Sequence, residues 1–117
     1  MDAAIKPSTL QSELAGSRAP LVIDVRKSPT FHAAPDMIAG ALRRDPAHVA
    51  SWAKELPSAS SVVVYCVHGH EVSQGVAQAL RDAGMSARYL ADGIEEGWRS
   101  AGGGLMQKPA NASTRWV

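Results

Sequence analysis

The stretch VVVYCVHGHEVSQGVAQALRDAG, residues 62–84, decides the fold, because it joins a buried strand to a helix through one short loop. Its first four residues are apolar and mostly β-branched, which is typical of a strand buried on both faces of a sheet. The second half predicts a helix that ends at Gly84. One apolar face of that helix carries Val72, Val76, Ala79, Leu80 and Ala83. A strand that leads directly into a helix is the repeating unit of a parallel α/β sheet.

The same alternation of strand and helix continues along the rest of the chain. LVIDV, residues 21–25, is a second buried-strand pattern, and shorter strands are predicted at 41–43 and 87–90. Strands that alternate with helices favour parallel pairing and helices on both sides of the sheet. The predicted fold class is therefore α/β, with a central, mostly parallel β-sheet flanked by helices on both faces.

Capping residues indicate where two of the helices begin. Ser8 and Gln11 fit a capping box for a first helix that ends near Gly16. Asp45 is followed by a proline, and this pair is a strong start signal for a helix that ends at Pro57.

Two tryptophans and two less regular segments complete the pattern. Trp52 and Trp98 lie on the apolar stripes of their helices, so both are predicted to be core anchors. Residues 27–39 contain two prolines and are predicted to form a loop with at most a short helical turn. Three glycines at 102–104 suggest one domain over 1–104 and a mobile C-terminal tail over 105–117.

Length and composition exclude several classes of protein. The 117 residues suit a single domain, and the formal net charge of +1 lacks the basic footprint of a nucleic-acid binder. No stretch approaches the roughly 18 apolar residues of a membrane span, and the first ten residues do not resemble a signal peptide. The single cysteine cannot form an internal disulfide or a multi-cysteine zinc site. We expect a cytoplasmic monomer with no cofactor and no nucleic-acid or membrane partner.

The loop after the second buried strand carries the candidate nucleophile, Cys66. Ligands of open α/β sheets collect at the carboxyl ends of the strands, where this loop lies. Backbone N–H groups of a tight loop and the N-terminus of the next helix both favour an anion, and they favour thiolate over thiol. Gly69 permits the positive φ that such a turn commonly needs.

The other polar residues of the loop leave alternatives open. His68 and His70 are either ordinary loop histidines or switchable cations that help to hold an anion near Cys66. Glu71 suits the first turn of a helix, but if it leans toward Cys66 it opposes both the thiolate and a dianionic substrate. His68 or His70 would offset that repulsion by pairing with Glu71. A metal site is disfavoured, because residues so close on one tight loop rarely converge on one ion.

Several motifs together resemble a known family. They are LVIDVR at 21–26, IAGA at 38–41, VVYC at 63–66 and YLADGIEEGW at 89–98. Over about residues 5–102 the chain resembles a single-domain rhodanese, a sulfurtransferase with a rhodanese-like α/β fold. CVHGHEVSQGVA at 66–77, with ALRRDP at 41–46, most resembles the rhodanese-like proteins found with bacterial chromate-resistance systems.

The resemblance implies a reaction and a set of site residues. Cys66 would take the outer sulfur of thiosulfate or a persulfide, become a persulfide itself, and pass the sulfur to cyanide or a thiol. The small-molecule donor and the thiol acceptor are then the partners. The implied substrate-binding loop comprises Val67, His68, Gly69, His70, Glu71 and Val72.

Six positions outside the loop depart from the family pattern or have two interpretations. Thr30 replaces a glutamate that is common in the family, so Arg26 is expected to have lost its usual ion-pair partner, and Asp92 stands where a glycine is common. Asp24 and Arg26 either support the loop through hydrogen bonds or form a structural ion pair at a strand end. Arg43, with the arginine after it, either draws an acidic acceptor toward the site or forms a solvated edge.

Two other functions remain as alternatives. A cysteine phosphatase would need an arginine six residues after the cysteine, and Val72 occupies that position. A thiol-based module that binds an oxyanion or senses oxidants on a rhodanese fold is the second alternative, since function does not follow from fold alone.

Overall fold

A computed structural model describes residues 3–57 and 60–109. The strands are β1 (Ala4–Ile5), β2 (Leu21–Asp24), β3 (Asp36–Ile38), β4 (Leu42–Arg43), β5 (Ser61–Tyr65), β6 (Ser86–Leu90) and β7 (Leu105–Gln107). The helices are α1 (Pro7–Leu14), α2 (Ser28–Ala33), α3 (Val49–Ala53), α4 (Glu71–Asp82) and α5 (Gly93–Arg99), of which α5 is a π-helix. A 3-10 turn, Pro46–His48, precedes α3.

The central sheet has five strands in the order β1-β6-β5-β2-β4, and every neighbouring pair in it is parallel. The strand with the most apolar sequence, β5, lies in the middle, where both its faces are covered. Its register aligns Val63 with Val22 of β2 and with Arg88 of β6. The predicted mostly parallel sheet is confirmed.

Helices pack on both faces of the sheet, as predicted. On one face, Leu10 of α1 and Ile94 and Trp98 of α5 form one apolar cluster. On the other, Trp52 of α3 packs with residues of α4, such as Leu80. Trp52 and Trp98 are 0% and 3% exposed, so their prediction as core residues is confirmed.

The two helical segments whose starts were predicted both begin at a proline, but only one of them has the predicted side-chain cap. Helix α1 begins at Pro7 after Lys6, with no side-chain cap, so the predicted capping box of Ser8 and Gln11 is wrong. Proline at the first position needs no N–H partner and already has helical φ. Asp45 does cap the 3-10 turn Pro46–His48, accepting a hydrogen bond from Ala47 N at 2.9 Å. The predicted end of this helix at Pro57 is wrong, because α3 ends at Ala53.

Two irregular segments contain more structure than the sequence predicts. Residues 27–39 hold α2 and the strand β3. The predicted mobile tail is wrong for Leu105–Gln107, which form β7 and pair antiparallel with β3. Leu105 and Met106 pack against the core, and this burial holds the strand in place. Residues 110–117 of the predicted tail lie outside the described residues.

Within the described ranges, no helix is long and apolar enough to cross a membrane.

Candidate active site

Cys66 lies at the carboxyl edge of the sheet, one residue after β5. Its side chain is nearly buried, with 6% of the residue exposed. The neighbouring strand end is tied to this position, because Val25 N donates to Tyr65 O at 2.9 Å. The loop then turns through His70 into the first residue of α4, Glu71. The predicted strand-loop-helix setting of the thiol is confirmed.

The turn between β6 and α5 packs directly against this loop. Ile94 N donates to Cys66 O at 3.0 Å, and Glu95 N donates to Val67 O at 3.1 Å. Gly69 has φ of 73°, and a Cβ there would lie 2.8 Å from the backbone nitrogen of Asp92. Only glycine fits that position, because both the φ and the space exclude a side chain.

Asp92 itself adopts the left-handed conformation, with φ of 63°. Among residues other than glycine, aspartate and asparagine tolerate this region best. The sequence departs here from the family's usual glycine, and the backbone keeps the conformation that glycine would provide.

Ser73 is hydrogen-bonded to the thiol, and sequence analysis missed it. Its Oγ lies 3.1 Å from Cys66 Sγ, and the residue is fully buried in the first turn of α4. A thiol donates to this hydroxyl oxygen, whereas a thiolate would accept a hydrogen bond from the same hydroxyl. The signal in the sequence was a hydroxyl residue placed on the buried face of an amphipathic helix, beside Val76 and Ala77.

The two histidines of the loop lie on its exposed side. His68 Nδ1 is 2.5 Å from Glu96 Oε1 of α5, and the His68 and His70 rings are 6.1 Å apart. Of the two histidines that could offset Glu71, His68 instead pairs with Glu96. Sequence reasoning missed Glu96, because 28 residues separate it from His68.

A cavity of about 200 Å³ opens over the thiol. It is lined by Arg26, Lys27, Thr30, Cys66, Val67, His68, His70, Glu71 and Val72. Every predicted loop residue except the buried Gly69 lines this cavity. Lys27, which directly precedes α2, and Thr30 of α2 also line the cavity, and the sequence did not identify either as a cavity residue. Lys27 is exposed and adds a positive charge to the same cavity that Glu71 lines.

Behind the loop lies a buried ion pair between Asp24 and Arg26. Arg26 Nη2 donates to Asp24 Oδ2 at 2.6 Å and to Asp36 O at 2.9 Å, and the two side chains are at most 1% exposed. The Tyr65 hydroxyl donates to Asp24 Oδ2 at 2.8 Å and accepts from Ile38 N at 3.1 Å. Arg26 is therefore paired with Asp24, which agrees with one of the two interpretations of these residues, a structural ion pair at a strand end.

Burial and neighbouring charges shift the pKa values of Tyr65 and Arg26 in this network. Burial raises the pKa of Tyr65 well above its ordinary value, and the adjacent Asp24 carboxylate raises it further. Burial alone would lower the pKa of Arg26, but the hydrogen bonds to Asp24 and the charges of Asp24 and Asp36 together outweigh it, so the pKa of Arg26 is raised. Tyr65 therefore stays a neutral donor and Arg26 stays a cation.

Arg43 belongs to the structure behind the site and not to a solvated edge. It is 8% exposed, donates from Nη2 to Arg26 O at 2.7 Å, and lies 4.9 Å from the centre of the Phe31 ring. Burial lowers the pKa of Arg43. Its guanidinium thus holds the backbone just after β2 through the hydrogen bond to Arg26 O.

Comparison with known proteins places this arrangement in a family. Residues 6–101 match the Rhodanese-like domain family. The chain belongs to that family, and its five-stranded, mostly parallel sheet with flanking helices is the rhodanese-like fold.

Particular relatives agree with this assignment. The chain is 34% identical over 76 residues to the thiosulfate sulfurtransferase GlpE of Tolumonas auensis, covering 65% of this chain and 69% of that protein. The rhodanese-like domain of the Alr3790 protein from Anabaena sp. superposes with a TM-score of 0.76 at 26% identity, over 100% of this chain and 92% of that one. A full-length protein from Lactobacillus plantarum gives a TM-score of 0.78 at 27% identity, covering 91% and 88% of the two chains. The narrower likeness to chromate-resistance proteins stays a prediction.

Proposed function

We propose that this protein is a sulfurtransferase that carries sulfane sulfur as a persulfide on Cys66. One observation carries the proposal: the Cys66 thiol lies at the base of the 200 Å³ cavity, where the loop meets the N-terminus of α4. Membership of the rhodanese-like family supports it, as does the similarity to a relative named as a thiosulfate sulfurtransferase.

The first half-reaction is a displacement at sulfur. The Cys66 thiolate attacks the outer sulfur of thiosulfate, a new S–S bond forms, and the bond to the inner sulfur breaks. Sulfite leaves with the electron pair of that bond, and Cys66 becomes a persulfide anion. The helix N-terminus and the loop N–H groups favour the negative charge that persists throughout this step.

The second half-reaction returns the enzyme to its starting state. A thiolate or cyanide attacks the terminal sulfur of the persulfide, and the S–S bond breaks with its electrons staying on Cys66. The products are an acceptor persulfide or thiocyanate and the original thiolate. No external oxidant or reductant is required, because each step exchanges one bond to sulfur for another.

Neighbouring side chains have separate roles in this proposal. Ser73 donates a hydrogen bond to the Cys66 thiolate when the thiolate forms, and again when the thiolate is released from the persulfide. Lys27 attracts an anionic donor to the cavity, whereas Glu71 opposes it. The Asp24 and Arg26 pair holds the strand ends, and Arg26 also lines the cavity.

Intact-mass measurement after incubation with thiosulfate tests the proposal. We expect the wild-type chain to gain the mass of one sulfur atom and to lose it again when cyanide is added. Cys66→Ser should show no gain while keeping the far-UV circular dichroism spectrum of the wild type, since the two side chains are similar in size. A sulfur adduct on Cys66→Ser, or none on the wild type, would contradict the proposal.

A further inference from the structure

We propose that His68, oriented by Glu96, is the general base that removes the proton of a thiol acceptor in the second half-reaction. This inference rests on the proposed function and adds a catalytic residue to it. A thiol attacks the persulfide as a thiolate, but a cysteine-like thiol has an ordinary pKa of about 8.5 and keeps its proton near pH 7. A base beside the cavity therefore speeds transfer to such a thiol.

The contact with Glu96 determines which nitrogen of the His68 ring is the base. His68 Nδ1 lies 2.5 Å from Glu96 Oε1. A carboxylate can only accept a hydrogen bond, so the hydrogen of this contact belongs to Nδ1. In the neutral ring, Nε2 then carries the free lone pair. His68 also lines the Cys66 cavity, so this basic nitrogen belongs to a side chain at the place where an acceptor enters.

Helix α5 brings Glu96 to the loop through a π turn. Gly97 N donates to Asp92 O, five residues earlier, at 3.2 Å, which is the hydrogen bond of a π-helix. Ile94 N and Glu95 N donate to backbone carbonyls of the loop, so Glu96 directly follows the two residues that bind the loop. π turns are rare and occur frequently at functional sites. The same turn therefore connects α5 to the loop and places a carboxylate beside its histidine.

The adjacent carboxylate, Glu95, has a different partner. Arg99 donates from Nε to Glu95 Oε1 at 3.2 Å and from Nη2 to Glu95 Oε2 at 3.1 Å. The same guanidinium also donates to both carboxylate oxygens of Asp36. Glu95 and Glu96 are thus neighbours on one helix, and only the second of them pairs with His68 among the described residues.

Other ionisable groups surround the same space. Those that line the cavity besides His68 are Arg26, Lys27, Cys66, His70 and Glu71. The charge of Arg26 is balanced by Asp24, and the His70 ring is 6.1 Å from the His68 ring. Glu96 is the carboxylate in hydrogen-bond contact with the His68 imidazole, so it stabilises the positive charge that the ring gains with a proton.

The proposed step needs no further reactant. His68 Nε2 takes the proton of the acceptor thiol while the acceptor sulfur forms a bond to the terminal sulfur of the persulfide. The S–S bond of the persulfide breaks, and its electron pair returns to the Cys66 sulfur. The products are an acceptor persulfide, the Cys66 thiolate and a protonated His68, which then releases its proton to water.

Two thiols of different acidity test this step on protein that already carries the persulfide. Near pH 7, 2-mercaptoethanol keeps its proton, whereas 4-nitrothiophenol has already lost it and needs no base. We expect His68→Gln to lower the second-order rate constant for 2-mercaptoethanol about tenfold and to leave that for 4-nitrothiophenol within about twofold of the wild type. The advantage of the wild type with 2-mercaptoethanol should disappear as the pH rises above the pKa of that thiol, because the thiol is then ionised.

His48→Gln is the matched control for His68→Gln. His48 is also an exposed histidine with a carboxylate nearby, since its Nδ1 lies 3.5 Å from Asp45 Oδ2, but it does not line the Cys66 cavity. Both rate constants of His48→Gln should match those of the wild type. Equal losses with both thiols in His68→Gln, or no loss with either, would overturn the assignment of His68 as the base.

Glu96→Gln tests the positioning role on its own. It keeps a polar side chain of the same shape but cannot stabilise the protonated ring by charge. We expect the rate constant for 2-mercaptoethanol to fall about threefold and that for 4-nitrothiophenol to stay unchanged. Glu95→Gln, the same change one residue earlier, should leave both rate constants at the wild-type values. An unchanged Glu96→Gln, or an equal loss in Glu95→Gln, would overturn the role of Glu96. Failure of the wild type to form a persulfide at all would instead overturn the proposed function.

Discussion

Two ion pairs lie on opposite sides of the Cys66 loop, and they differ in almost every physical respect. Asp24 and Arg26 are at most 1% exposed, whereas the His68 and Glu96 side chains are 52% and 60% exposed. The buried pair also binds Tyr65 and the backbone of Asp36, so its polar atoms are tied to several elements. The exposed pair joins only the loop to α5.

The difference in burial gives the two ion pairs different effects on the stability of the protein. A buried charge cannot lose its partner without a large penalty, so the Asp24 and Arg26 pair holds the ends of β2 and β5 in one geometry. An exposed pair is screened by water and contributes little to stability. The thiol therefore lies beside a buried ion pair with several hydrogen-bond partners, while the ion pair of the loop's histidine is exposed to solvent.

The largest expected effect comes from breaking the buried pair. Asp24→Asn keeps the side-chain shape but leaves the Arg26 guanidinium buried without a counter-charge, so we expect a loss of about 3–5 kcal/mol in the free energy of unfolding. Urea denaturation monitored by tryptophan fluorescence measures it, with Trp52 and Trp98 as buried reporters.

Glu96→Gln is the matched control on the exposed side. It removes the charge from the other ion pair, and we expect a change of no more than about 0.5 kcal/mol. Equal losses in Asp24→Asn and Glu96→Gln would remove the contrast between the two sides of the loop.

A smaller loss is expected from removing one hydroxyl of the buried network. Tyr65→Phe leaves the Ile38 N–H without its acceptor and takes one donor from Asp24, so we expect a cost of about 1–3 kcal/mol. Tyr89→Phe, the same change at a half-buried tyrosine of β6, is the control and should cost less. A Tyr65→Phe protein as stable as the wild type would show that the ion pair does not depend on this hydroxyl.

Much of the fold could be predicted because its signals are local. The β-branched runs at 21–25 and 62–65 and the apolar face of α4 each lie within one element. The β3 and β7 pair could not be predicted, because each strand has three residues and Met37 pairs with Met106 far along the chain.

The residues of the candidate site also fall into two groups, those that a local sequence pattern identifies and those that it does not. Cys66 and its loop were identified from a strand, a loop and a helix that are consecutive in sequence. Lys27 and Glu96 reach the loop from other elements, so no local pattern identifies them. Ser73 is close in sequence, but its position near the thiol depends on how α4 is rotated, which only packing determines.

The smallest expected effect concerns the charged rim of the cavity, where Lys27 and Glu71 face the same space. Thiosulfate is a dianion, so removing the carboxylate of Glu71 lowers the repulsion that it meets, while removing the ammonium of Lys27 lowers the attraction. We expect Glu71→Gln to raise the second-order rate constant of persulfide formation from thiosulfate about twofold and Lys27→Gln to lower it by a similar factor. Stopped-flow measurement at low and high salt tests this, because effects of exposed charges shrink as ionic strength rises.

Transfer from the persulfide to cysteine, the comparison reaction, should respond much less to Glu71→Gln. Equal effects of Glu71→Gln on the two reactions, or none on either, would mean that Glu71 serves only as a favourable residue at the start of α4 and that the rim does not select donors by charge.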